Sequence, residues 1–178
     1  MFLRRILPLL IIAIAGVAGF CTYLGDCEGE VDHVYQDGWQ DVFVVKIERR
    51  PETCGFMPGA YYKFLTQYKS GEWKEVMSFR HDDPIDPSDK SIQIINERIA
   101  VVSMGWKAAV TSDSGKTWNY WNARLDLPNW KGTNYSLIEE ITMSENGEGK
   151  MVLDPIQNRN EPKGLVTTDF GKTWTPID

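Results

Sequence analysis

Histidine and cysteine are scarce in this chain of 178 residues. There are two histidines, His33 and His81, and three cysteines, Cys21, Cys27 and Cys54. No CxxC or HxxxH spacing occurs, which argues against a tetrahedral metal site. No Gly-x-Ser-x-Gly elbow or Cys/His arrangement offers an activated nucleophile. Helical stripes with apolar residues every third or fourth position are almost absent, so an α-helical domain is not expected. Positive charge is also short: 19 Lys+Arg stand against 25 Asp+Glu, a net charge of −6. Such a surface repels nucleic acid and anionic lipid, and both are excluded as partners.

What is abundant at the start is apolar. "MFLRRILPLLIIAIAGVAGFCTYL" places Arg4 and Arg5 before a run from Ile6 to about Leu24. A charged segment followed by an apolar one reads as a signal peptide, with small residues near Ala18 and Gly19 for cleavage. At roughly 18 residues the run is also long enough to stay as a membrane anchor. Residues 1–24 are therefore a signal or anchor, and residues 25–178 a single exported domain, soluble in the periplasm or tethered to the inner membrane. Without Arg4 and Arg5 that domain keeps 17 basic and 25 acidic residues, a net −8. In an oxidising compartment Cys27 and Cys54 are placed to form a disulfide that clips the start of the domain to its first long loop.

The remainder reads as strands. Short apolar or alternating runs are separated by Gly, Asn, Asp and Pro, the signature of antiparallel sheet. The clearest set is "SLIEEITMS", a turn holding Asn146-Gly147, "KMVLD", a polar loop, "GLVTTD" and "TWTPI". Asn-Gly is a strong hairpin signal. The same order recurs upstream as "SIQII", "RIAVVSM", "WKAAVTSD" and "TWNYWNA", and more faintly as "VDHVYQ", "DVFVVKIE", "YYKFLTQY" and "EWKEVMSF". The expected fold is all-β, with three four-stranded antiparallel sheets at about residues 31–79, 91–122 and 136–178, repeated in series like propeller blades. Three blades are fewer than a normal propeller ring holds, so a compact three-bladed arrangement and a homodimer both stay open.

One eight-residue phrase is written twice. "TSDSGKTW" (residues 111–118) and "TTDFGKTW" (167–174) share Asp113/Asp169, Gly115/Gly171, Thr117/Thr173 and Trp118/Trp174. Trp73 ends a third copy that has lost the aspartate. Each residue type has a scaffold role between the third and fourth strands. The aspartate accepts backbone N–H groups of its own turn. The glycine takes a positive φ. The threonine opens the next strand, and the tryptophan buries an apolar face between neighbouring sheets. The phrase resembles the Asp-box, or BNR, repeat of sialidases and other propeller-like proteins, Ser/Thr-x-Asp-x-Gly-x-Thr-Trp. In the resembling families the box lies away from the catalytic centre.

A sialidase-like enzyme would need an arginine cluster and a Tyr/Glu pair, and the sialidase Phe-Arg-Ile-Pro sequence is missing. Arg49, Arg50, Arg80, Arg98, Arg124 and Arg159 are the only arginines of the exported part. Glu139-Glu140 reads as a solvated pair whose side chains face opposite sides of a strand. The aspartates of "HDDPIDPSD" (81–89) lack the EF-hand order, so Asx-Pro turns explain them better than calcium. No cofactor or metal is expected, and no catalysis. The expectation is a binding protein. Two segments hold the residue types that anchor interfaces. They are Trp121, Arg124, Trp130, Asn134 and Tyr135 in one linker, and Asn158, Arg159 and Asn160 in a polar loop. In size, export signal and blade layout the chain resembles periplasmic immunity proteins that guard against type VI secretion amidase effectors. That resemblance implies a partner that is a toxic peptidoglycan hydrolase, blocked at its active site. The alternatives are an envelope assembly or scaffold factor, and a glycan-binding, sialidase-like module.

Overall fold

A computed structural model describes residues 27–54, 59–82, 84–127, 138–154 and 163–177. The first sheet is built from β1 (His33–Trp39), β2 (Phe43–Pro51), β3 (Ala60–Tyr68) and β4 (Lys74–His81). The alternation in the sequence decides its faces. Phe43, Val45 and Ile47 of β2, with Ala60, Tyr62, Phe64 and Thr66 of β3, are buried, while the residues between them point outward. A period of two with one face covered is what an antiparallel sheet against a core requires.

The second sheet holds β5 (Ile92–Ile94), β6 (Ala100–Met104), β7 (Lys107–Thr111) and β8 (Asn119–Asn122). Its middle strands are apolar at consecutive positions: Ala100, Val101 and Val102 on β6, and Ala108, Ala109 and Val110 on β7, all buried. Burial on both faces explains those unbroken runs. The third sheet holds β9 (Ile138–Met143), β10 (Gly149–Leu153), β11 (Gly164–Thr167) and β12 (Thr175–Ile177). In each sheet the strands lie in chain order and pair antiparallel. The three four-stranded sheets are thus those read from the sequence, and the described strands close no barrel.

Contacts between sheets run from β1 to β5 and from β6 to β9. An aromatic cluster fills the first junction. Phe79 stacks on Tyr62 at 5.4 Å between ring centroids, and Trp106 lies 5.4 Å from both Phe79 and His81. Trp106 reaches them from the β6–β7 turn, where Gly105 adopts a φ of 62°.

Two of the hairpin turns are built on left-handed residues. In "KSGEW" the reversal is made by Lys69 and Ser70, with φ of 47° and 50°, and Gly71 only donates its N–H to Tyr68 O at 3.0 Å. Two positive φ values suit a tight hairpin whose twist matches its strands. In the third sheet Asn146-Gly147 marks a turn, as the hairpin signal implied. Gly147 N–H donates to Ser144 O at 3.1 Å and Ser144 N–H to Glu148 O at 2.8 Å, giving a three-residue loop with Gly147 at φ 90°.

The disulfide is present: Cys27 and Cys54 are bonded, with Cα atoms 5.1 Å apart. Backbone pairing holds the same two segments together. Gly29 N–H donates to Pro51 O at 2.7 Å and Thr53 N–H to Cys27 O at 2.9 Å.

Candidate functional site

The repeated box comes first, because its chemistry is complete within itself. In the first copy Asp113 Oδ1 accepts from Thr117 N–H at 2.9 Å and Oδ2 from the Thr117 hydroxyl at 2.6 Å. Thr111 Oγ donates to Asp113 Oδ1 at 2.9 Å and accepts from Gly115 N–H at 3.0 Å. The second copy repeats this almost distance for distance. Asp169 accepts from Thr173 N–H at 2.9 Å, the Thr173 hydroxyl at 2.7 Å and the Thr167 hydroxyl at 2.8 Å. These donors hold the Asp169 carboxyl down at about 2, the Thr173 backbone N–H first and its hydroxyl next. Burial works against ionisation of Asp113, but the Thr117 and Thr111 bonds outweigh it and its pKa is also lowered. Carboxylates bonded this way stay ionised and are poor proton donors near neutrality. Ser114 and Phe170, at φ 64° and 59°, share the left-handed turn with Gly115 and Gly171.

Trp118 and Trp174 are partly buried against the core, as a scaffold role demands. Trp73 departs from them. It is 37% exposed, and Lys46 Nζ lies 4.3 Å from its ring centroid.

The binding residues read from the sequence fall in three groups. Trp130, Asn134, Tyr135, Asn158, Arg159 and Asn160 lie outside the described residues. Trp121 is only 4% exposed and pairs across β7–β8 with Ala108, so its ring fills the interior. Arg124 is exposed. It sits on a short helical turn, α1 (Ala123–Asp126), that the sequence reading took for linker. Asn122 caps the turn by accepting from Arg124 N–H at 3.0 Å, and Asp126 accepts from Asn122 N–H at 2.6 Å. Asparagine at an N-cap is among the best residues for the task. Ala123 N–H donates to Trp106 O at 3.0 Å, and this ties α1 to the β6–β7 turn. The Arg124 guanidinium then lies 4.1 Å above the Trp106 ring.

This stacking forms one wall of a pocket of about 400 Å³ between β4 and the β7–β8 edge. Lys107 is the second cation in it. Its Nζ donates to Ser78 O at 2.7 Å and lies 5.5 Å and 5.7 Å from the Phe79 and Tyr120 rings. Burial, and then the charge of Arg124, lower the Lys107 pKa. Arg80 also lines the pocket, but it bonds Glu52 at 2.8 Å and pairs with Asp82. Sequence reasoning missed Lys107, Trp106 and Arg80. Each looks like ordinary strand or turn until β4 and β7 are brought side by side.

A second depression, of about 600 Å³, lies where the linker after β4 meets the second and third sheets. Ile138, Glu139, Glu140 and Ile141 of β9 all line it, and both glutamates are exposed. The strand carries a bulge here: Val152 pairs with Glu140 but Leu153 with Ile138, so Glu139 is an extra residue in the ladder. The acidic linker beside it is held by arginines. Arg49 bonds Asp32 at 2.8 Å and pairs with Asp86, while Asp82 pairs with Arg80. Among the described residues no group of three or more acidic, His or Cys side chains is arranged to hold a metal ion.

No protein-family model matches the chain, and no curated protein matches it.

Proposed function

We propose that this chain is a non-catalytic binding protein of the cell envelope, acting as a stoichiometric inhibitor of a cell-wall-degrading hydrolase. The observation that carries the reading is the pocket around Arg124. An exposed arginine stacked on tryptophan, with a half-buried lysine and a tyrosine beside it, is the composition of an interface anchor. The disulfide suits an oxidising compartment, and the two boxes have their carboxylates committed to their own turns. The sheets are read as propeller-like blades for one reason. Each box glycine rests on the third strand of the preceding sheet, Gly115 on Thr66 and Gly171 on Val110. That is one offset applied twice.

A rigid β scaffold presents its contacts already ordered, which lowers the entropic cost of binding. Net charge near −8 would speed encounter with a basic hydrolase and make the on-rate fall with salt. The immunity role against a type VI amidase effector is the form of this reading that fits the export signal and size. The test is capture of candidate peptidoglycan amidases by residues 25–178. A dissociation constant below about 1 μM, roughly −8 kcal/mol, supports the reading. Absence of any such partner, or turnover of a sialoside by the purified domain, overturns it.

A further inference from the structure

We infer that Tyr68, Lys69 and Lys116 form a binding site for a small dianionic oxyanion, of the phosphate or sulfate type, where the first box meets the first sheet. The geometry brings two ammonium groups to one ring. Lys116 Nζ lies 4.5 Å from the Tyr68 ring centroid and Lys69 Nζ 5.3 Å from it. The two lysines come from different sheets. Lys69 follows β3, while Lys116 belongs to the box between β7 and β8, whose Gly115 rests on Thr66. Both lysines are exposed and Tyr68 is half-buried. Among the described residues neither ammonium makes an ion pair. Of the acids nearest in the chain, Asp113 is bound by Thr111 and Thr117, and Asp41 and Glu72 pair with no lysine. In a chain of net −6, two cations without a carboxylate partner stand side by side.

Two further observations separate this arrangement from scaffold. Lys69 has a φ of 47°. A hairpin turn of this hand prefers Asn, Asp or Gly, and a long side chain there bears steric strain. Strain that fixes a chemical group points to a use for that group, and here it sets an ammonium against Tyr68. The second box supplies the comparison. Gly171 rests on Val110 as Gly115 rests on Thr66. Two and three residues beyond Val110 stand Ser112 and Asp113, where the first sheet has Tyr68 and Lys69. A box is thus seated without this ring and without a second cation, so both are additions at one junction.

The donors fit a tetrahedral dianion. The Lys69 ammonium beside the Tyr68 oxygen, and then the charge of Lys116, lower the pKa of the hydroxyl against its burial. That hydroxyl can donate to an anion held by the two ammonium groups. Lysine binds phosphate as a point charge, and a phosphate monoester carries about −1.5 to −2 near neutral pH, which two lysines match. The net charge of the chain opposes a polyanion, so the ligand is a single small group. The site stands apart from the inhibitor reading and does not depend on it.

The experiment uses the full chain in a non-ionic detergent, with lysine side chains labelled for NMR. Sodium phosphate, methyl phosphate, sodium sulfate, sodium acetate and sodium chloride are titrated separately at constant ionic strength. The expected result is a saturable shift of the Lys69 and Lys116 ε signals with phosphate and sulfate, half-complete at roughly 5 mM. Acetate, with one charge, should bind about 5-fold more weakly. Phosphate binding should weaken from about pH 7.5 to about pH 5.5 as the ligand gains a proton, while sulfate binding should not. Lys69→Gln and Lys116→Gln should each weaken binding by about 5-fold or more. Both residues are exposed, so the variants stay folded. Lys172→Gln makes the same change of charge in the second box and should leave binding as it is. Tyr68→Phe keeps the ring under the lysines, removes the hydroxyl and should weaken binding about 3-fold. Methyl phosphate binding as well as inorganic phosphate supports the site and admits an ester as the source; its failure supports the site with the free ion as ligand. Shifts that stay linear, that chloride or acetate reproduces at the same concentration, or that Lys172→Gln reduces as much as Lys116→Gln would overturn the assignment.

Discussion

Gly171 rests against Val110. A β-carbon built on Gly171 would lie 2.9 Å from Val110 Cγ2 and 3.3 Å from Trp174 Nε1. The preceding box makes the same approach one sheet earlier, where a β-carbon on Gly115 would lie 2.5 Å from Thr66 Oγ1. Glycine is needed at both places on two counts, the left-handed φ and the closeness of the neighbouring sheet. The box is therefore where one sheet is seated on the previous one. Asn119 adds to the seat, donating its Nδ2 to Phe170 O at 2.9 Å.

The two counts can be separated by mutation. Gly171→Ala should destabilise the domain by about 2–3 kcal/mol, of which about 1 kcal/mol is the left-handed backbone cost. In a Val110→Ala background the 2.9 Å approach to Cγ2 is gone, so the penalty should fall, leaving the backbone part and the looser contacts at 3.3 Å. Denaturant unfolding of the four proteins of the cycle measures the coupling. Equal penalties in both backgrounds would show that Val110 is not the seat.

The carboxylate of the box predicts an acid transition. Asp169 sits at about 2 in the folded chain against an ordinary 3.8. A depressed folded pKa gives stability that is whole above the unfolded value and is lost as pH falls through the folded one. Stability should therefore decline between about pH 4 and pH 2. Asp169→Ala should flatten that decline and cost about 1–2 kcal/mol at neutral pH, from turn donors left without their acceptor. Urea midpoints across pH 2–7 read both effects. An unchanged acid limb in the variant would place the titration elsewhere.

The disulfide gives the third test. Its sequence separation of 27 closes a long loop over β1 and β2. Loop entropy then implies about 3–4 kcal/mol in the oxidised chain, in a model where the unfolded state bears the constraint. Cys27→Ser with Cys54→Ser should lower stability by that order. The effect should exceed that of removing the Thr53 to Cys27 backbone contact alone. Mass mapping without reductant should recover the two cysteines in one linked peptide pair.

The three sheets were legible because their signals are local. Alternation in "DVFVVKIE" and the apolar runs "RIAVVSM" and "WKAAVTSD" survive translation into strands with small shifts at the ends. The boxes were legible because every partner of Asp113 and Asp169 lies within four residues of it. The pocket was not. Lys107 and Arg80 are 27 positions apart and meet only through the β6–β7 turn crossing onto β4. Tryptophan alone misled in one place: Trp121 has the composition of an anchor, but its position opposite Ala108 turns it inward. The bulge at Glu139 left no mark in the sequence, since it follows from how β9 meets β10.

The linker after β4 supplies the last prediction. Tyr62 is fully buried, and its hydroxyl makes two bonds to one residue. It accepts from Ile85 N–H at 2.6 Å and donates to Ile85 O at 2.7 Å. A single oxygen thus fastens the linker that carries Asp86 and Ser88 to the wall of the 600 Å³ depression. Tyr62→Phe keeps the ring and its stacking on Phe79 but strands both backbone groups of Ile85. Leaving such groups without partners costs about 1–3 kcal/mol if the linker stays in place, and less if it lifts to reach water. Two measurements separate the outcomes. Global stability should fall by about 1–2 kcal/mol in denaturant unfolding, and the amide of Ile85 should lose hydrogen-exchange protection by more than the global change accounts for. If Ile85 exchanges no faster than the β3 amides in the variant, the tyrosine is an ordinary core residue and the linker is held by its arginine pairs instead.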